Sequence, residues 1–265
     1  MKKFSIALAL LLVLSLVPVA SAQDGSMGWV ALETTKSGKS RNLISATIKE
    51  DGPMYDKLLA SGKLSSWGIA IPINHSSDDT WNFLLWTNFA DWSGVGDIQA
   101  GFEGLFASRT PEQMAEGQKN YAESTVAGSH HDWIVRHEIH RVNPTPEQQP
   151  RYFDLGYWTV KPGMAEKFIE FYNATVTPVL DKLMATDTLQ GHGVFSHVIH
   201  GDTGFSHLTW VSVADLSALD TIDDAFQKSF SEEQMGNFME MVEWDSHKDQ
   251  ILLIVHLGGT TPEEK

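Results

Sequence analysis

The chain has 265 residues, 42% of them apolar, no cysteine and a formal charge of −15. Such acidity repels phosphate backbones and anionic membrane faces, so nucleic acid is not an expected partner. Without disulfides, stability must come from a packed core.

Residues 1–22 read as a secretory signal. Lys2 and Lys3 precede an apolar run over Phe4–Val17, and Ala20-Ser21-Ala22 supplies the cleavage site. Cleavage near Ala22 leaves about 243 residues and, with two lysines lost, a charge of about −17. The expectation is an exported chain, periplasmic or extracellular, with no later segment apolar enough to span a bilayer.

After a leader at Gln23–Met27, Trp29–Thr35 alternates and is rich in β-formers, which predicts a strand. Lys36-Ser37-Gly38-Lys39 is a turn, followed by a helix cut at Glu50-Asp51-Gly52-Pro53. Strands at Trp67–Asn74 and Trp81–Phe89 follow too closely for a crossover and form a hairpin. Asp91 then caps a helix over Gly94–Phe106. Thr110 with Gln113 opens a second helix as a capping box, and Ile134–His140 closes the half as a strand. Asn143–Pro150 is a proline-rich linker.

The chain then repeats itself. Shifted by 125 residues, Lys36–His75 overlies Lys161–His200 without a gap, and 11 of 40 positions match. The matches include Gly38/Gly163, Pro53/Pro178, Asp56-Lys57-Leu58/Asp181-Lys182-Leu183, Gly68/Gly193 and His75/His200. Pro178 must kink or split its helix. Strands at His192–Ile199 and Phe205–Val213, a helix over Ala218–Phe230, a capping box at Ser231/Gln234 and a strand at Ile251–His256 complete the second half.

Each half therefore has the order β-α-β-β-α-(α)-β, the ferredoxin-like unit. Two such sheets expose apolar faces that must pack together. In element order and duplication the chain resembles the dimeric α+β barrel superfamily, which includes antibiotic-biosynthesis monooxygenase-like, NIPSNAP-like and stress-responsive barrel proteins. The resemblance covers nearly all of 28–258 and rests on no catalytic motif. It implies an α+β fold of two tandem ferredoxin-like repeats, 28–142 and 151–258, joined by linker 143–150 and followed by a tail at 259–265. Their antiparallel sheets would pack as a pseudo-dimeric barrel, and both halves in one chain suit a monomer. Family members hold small apolar or aromatic molecules, and some hold haem.

Local motifs give little chemistry. His137-Glu138-Ile139-His140 lacks the i, i+4 spacing of a zinc helix, and the strand expected here points its two rings to opposite faces. There is no phosphate loop and no nucleophile elbow. Asn74-His75-Ser76 and Asn173-Ala174-Thr175 match glycosylation sequons, a weak signal.

Comparison of the halves is sharper. Positions packing sheet on helix should stay alike, and positions facing an asymmetric pocket are free to differ. The diverged set contains His197, His207, Arg136, Glu138, Glu33, Phe83, Phe195 and Trp158. Of these, Arg136 and Glu138 could pair with each other or with Glu33. His197 and His207, on adjacent strands, could approach as a cross-strand pair and, with a carboxylate, suit a metal, haem or general-base chemistry. The catalytic candidates are thus His197, His207, Glu138 and Arg136. The ligand-binding candidates are Glu33, Phe83, Trp158 and Phe195. No residue is assigned as a metal ligand and no cofactor is named. Three readings stay open: a barrel binding a small apolar or aromatic molecule with cofactor-independent oxygenase-like activity, a haem- or metal-dependent enzyme, and a non-catalytic binding protein.

Overall fold

A computed structural model describes residues 25–73, 81–199 and 204–259. The proposed signal, the sequon at Asn74, both His75 and His200, and residues 260–265 lie outside these.

The first half runs β1 (Met27–Glu33), α1 (Ser40–Glu50), α2 (Gly52–Ala60), β2 (Ser66–Pro72), β3 (Phe83–Phe89), α3 (Ser93–Ser108), α4 (Pro111–Ser124) and β4 (His131–Val142). The second runs β5 (Tyr152–Trp158), α5 (Ala165–Phe171), α6 (Thr177–Met184), β6 (Gly191–His197), β7 (His207–Val213), α7 (Ser217–Ser229), α8 (Glu232–Met241) and β8 (Lys248–Leu257). The two prolines act differently. Pro53 sits in the first turn of α2, where its missing N–H costs nothing, whereas Pro178 follows a π-turn at Tyr172–Val176 that keeps α5 and α6 continuous. Both capping boxes form, with Gln113 and Gln234 reaching back to Thr110 and Ser231.

The eight strands close into one antiparallel barrel in the order β1-β3-β2-β8-β5-β7-β6-β4. Strand β4 begins against β1 and ends against β6; β8 begins against β5 and ends against β2. These two long strands are the seams between the halves. Each seam has a bulge, at His137/Ile139 facing β6 and at Ile69/Ala70 facing β8.

Three apolar layers result. Trp67, Ile69, Phe83, Leu85 and Phe89 pack under α1–α3, and Val194, Val213, Phe168 and Leu180 form the corresponding layer of the second half. The third fills the lumen with Val30, Leu84, Trp86, Leu155, Leu208, Trp210 and Leu252.

The repeated residues have visible causes. Gly38 and Gly163 carry φ of 75° and 79° in the β–α turns, a region closed to most side chains. The carboxylate of Asp56 accepts the Trp67 indole N–H at 2.9 Å, and that of Asp181 lies 2.9 Å from His192 Nε2, so one aspartate ties helix to strand in both halves. Trp86 lies across Gly68, and Trp210 across Gly193. A Cβ at Gly193 would fall 2.2 Å from the Ile139 carbonyl oxygen and 2.7 Å from Trp210 Nε1. Replacing Gly193 by Ala should therefore destabilise the fold by at least ~1–3 kcal/mol, since backbone on one side and indole on the other must move. Urea unfolding with an unchanged slope would register this as a lower midpoint, and an unaltered midpoint would contradict the close packing.

Candidate functional site in the barrel lumen

The bulge on β4 builds the site. His137 pairs with Phe195 and Ile139 with Val194, leaving Glu138 as the extra residue. One inserted residue restores the side-chain phase, so His137 and His140 both face inward, with ring centroids 4.6 Å apart. The expectation that these rings point to opposite faces holds only for a regular strand and is corrected by the bulge.

His137 is 2% exposed and its Nε2 lies 3.0 Å from Asn88 Oδ1. The bond crosses β1, which is possible because Gly28 lies between: a Cβ there would stand 3.0 Å from Asn88 Oδ1 and 3.3 Å from His137 Nε2. Asn88 gives its amide N–H to Ser66 Oγ at 2.9 Å, so its carbonyl oxygen faces the histidine and places the ring proton on Nε2. Nδ1 keeps its lone pair, buried and without a hydrogen-bond partner. Burial first, and then His140, push His137 down to about 3, so the ring is neutral at ordinary pH. The Trp210 indole N–H is likewise buried without an acceptor, with its ring 5.6 Å from His140.

Around these groups the lumen encloses about 370 Å³, walled by Trp86, Trp133, Phe153, Phe195, Leu208 and Leu252 among others. That lies within the small end of the range for ligand pockets, and its apolar wall with a few convergent polar atoms has their usual character. No Lys or Arg lines it among the described residues.

The residues expected from sequence are divided by the barrel wall. Phe195 lines the lumen, and His197 sits at its end with its ring against Trp133 and Phe205. His207 faces the helices beside Phe168, and the residue opposite it on β6 is Ser196, so His197 and His207 are not a direct cross-strand pair. They do meet at a rim cleft of about 610 Å³, shared with Glu138, Glu166 and Glu170. Burial, then His197, push His207 down to about 4. Glu138 accepts from Ser196 Oγ at 2.5 Å, and Arg136 is exposed. Glu33 pairs with neither: it is buried beneath α4, bonded to Tyr121 and to His130 Nδ1, the latter at 2.6 Å. Phe83 packs in the first sheet–helix core, and Trp158 faces the second, its indole bonded to Thr209 Oγ1 at 3.0 Å.

The comparison of halves sorted β2 and β6 correctly and β3 and β7 in reverse. Diverged Ala70 and Phe195 do face the lumen; on β3 and β7, however, the alike pairs Leu84/Leu208 and Trp86/Trp210 face it, and diverged Phe83/His207 face helices. The lumen is made by both halves meeting, so equal positions converge there, while each helix layer answers only to its own sheet. On the last strands Ile254 corresponds to His137, since Ala70 pairs with Ile254 as Phe195 pairs with His137. His137, His140, Asn88 and Trp210 were thereby missed.

No group of three or more His, Asp or Glu able to hold a metal exists among the described residues. Haem fits poorly. Among the described residues its two carboxylates would meet no Lys or Arg in the lumen, and in the rim cleft three glutamates stand beside the two histidines.

With this geometry, the chain is similar in fold to several solved structures. One is a presumptive monooxygenase from Lactobacillus acidophilus, at 14% identity and TM-score 0.58, covering 89% of this chain and 96% of that one. Another is a presumptive monooxygenase from Fusobacterium nucleatum, at 10% identity and TM-score 0.58, covering 89% and 94%. A third is an anthrone oxidase-like protein, at 14% and 0.52, covering 89% and 95%. These likenesses define the class as an α+β barrel and nothing finer. No protein-family model and no curated protein matches the chain. Among the described residues no helix is long and apolar enough to cross a membrane.

A pH dependence follows from His137. Its folded value, about 3, lies below the ordinary 6.5, so the folded state binds fewer protons than the unfolded one. Stability is then constant above roughly pH 6.5 and falls as pH drops toward 3; His207, at about 4, adds in the same sense. Proton NMR should find the His137 ring neutral from pH 8 to 5, with the urea midpoint declining only below about 6.5. A ring titrating near 6.5 would mean that water reaches it.

Proposed function

We propose that this chain is an exported binding protein whose lumen takes up one small, neutral, mainly aromatic molecule bearing a hydrogen-bond donor. The observation that carries the reading is His137 Nδ1, an acceptor buried without a partner in an apolar cavity. An unmet buried acceptor costs free energy that a ligand O–H or N–H recovers. The surrounding Trp86, Phe153, Phe195 and Trp210 supply flat contact area. Export rests on the leader at 1–22 alone. The shared element order, the repeated Gly–Trp contacts and the 11 matches support reading 28–142 and 151–258 as tandem copies, and one chain closing the whole barrel suits a monomer.

Turnover stands behind binding. Monooxygenase chemistry, which the names of two similar structures suggest, would without a cofactor need a base to form a substrate anion and a group to hold it. An imidazole at about 3 is a weak base, and among the described residues no Lys or Arg lines the lumen. Haem would find histidines but no Lys or Arg for its carboxylates, and no group of three or more metal ligands exists among the described residues.

Calorimetric titration with 1-naphthol and with naphthalene tests the reading. The hydroxyl should tighten binding about 3–10-fold, the worth of one hydrogen bond. His137→Phe should erase that preference while still binding naphthalene. Equal affinity of both probes for the native protein would overturn it.

A further inference from the structure

Outside the lumen, the structure assigns a second site in the second half, between the outer face of β5, β7 and β8 and the helices α5–α8, shaped for an organic cation with apolar substituents. The cavity holds about 290 Å³ and is walled by Trp158, Phe171, Phe226, Phe238 and Trp244, with carboxylates from Asp154, Asp223 and Asp249. No lysine or arginine lines it among the described residues.

The register of the barrel shows how the space arises. Trp29 pairs with Thr87 and Ile134 in the first half, and Asp154 holds the corresponding place against Val211 and Ile251. In the first half the Trp29 indole fills that face and donates to Asp132 at 2.7 Å. In the second half the indole is replaced by a carboxylate, which opens the cavity and turns a second acid toward the one already present. Gly156, one step along β5, keeps the floor open, since a Cβ there would stand 2.7 Å from Thr209 Oγ1 and 3.1 Å from Trp158 Nε1.

Three acids from separate elements around one aromatic-walled space repel each other. Burial, then Asp249 and Asp223, raise Asp154 to about 6, and His247 offsets this only in part. The His247 ring stacks on Trp158 with centroids 3.7 Å apart and its Nε2 lies 3.1 Å from Asp249 Oδ1, so it backs the aromatic wall. A cation inside would relieve the repulsion and meet aromatic faces, the arrangement by which quaternary ammonium groups are recognised. A neutral molecule would gain only the second of these.

The probe is benzyltrimethylammonium, compared by calorimetry at pH 7.5 with benzyl alcohol as an uncharged aromatic. The cation should bind at least ten-fold more tightly. Asp154→Asn keeps the space and removes one charge, and should weaken the cation about ten-fold with little change for the alcohol. Asp154→Trp recreates the first-half arrangement and should abolish binding of both. Equal affinity for the two probes, or cation binding unchanged in Asp154→Asn, would overturn the assignment and mark the binding as diffuse attraction to an acidic surface. Since neither variant touches the lumen, 1-naphthol binding should persist in both, which separates this site from the first.

Discussion

Closure of the sheet is the constraint on which the rest depends. Each half alone would leave two exposed strand edges, and water or another chain would have to satisfy their backbone groups. The chain removes all four edges by giving β4 and β8 two partners each, one from their own half and one from the other. A strand that must follow two differently twisted neighbours cannot stay in register with both along its whole length. The two seam bulges absorb that mismatch, one on β4 and one on β8.

The lumen chemistry is a by-product of this fit. Were Glu138 paired as a regular residue of the strand, His140 would point outward and Ile139 inward. With the bulge, both histidines enter, and Gly28 leaves the gap through which His137 reaches Asn88. The corresponding residues of β8 are Ile254 and Leu257, which close the opposite wall with hydrocarbon. The two histidines of β4 therefore face hydrocarbon from β8 across the cavity, and the Trp210 indole N–H enters from β7.

Much of the fold was legible because its determinants are local. Capping boxes, the turn glycines, the hairpins and the broken first helix each depend on a few neighbouring residues, and these were visible in both halves. The repeated Asp-Lys-Leu was visible as a pattern, although its purpose, a carboxylate for Trp67 or His192, needed the packed structure. The site was far less legible. Whether His140 faces in or out is decided by an inserted residue that answers to β6, a strand some fifty residues away, and no local periodicity records that. The alike tryptophans misled for a related reason, since the surface they share exists only once the halves have met.

A barrel closed by two identical chains would carry every lumen group twice. Two copies of the His137–His140 pair would place four imidazoles in about 370 Å³. That interior would set imidazoles on both sides, among two copies of Val30, Leu84 and Trp86. Joining the halves in one chain allows them to differ, so β4 carries His137 and His140 where β8 carries Ile254 and Leu257. The same freedom acts outside the lumen, where Trp29 fills its face and Asp154 opens the corresponding one. Asymmetry between the halves, more than the barrel itself, is what makes the two cavities chemically different.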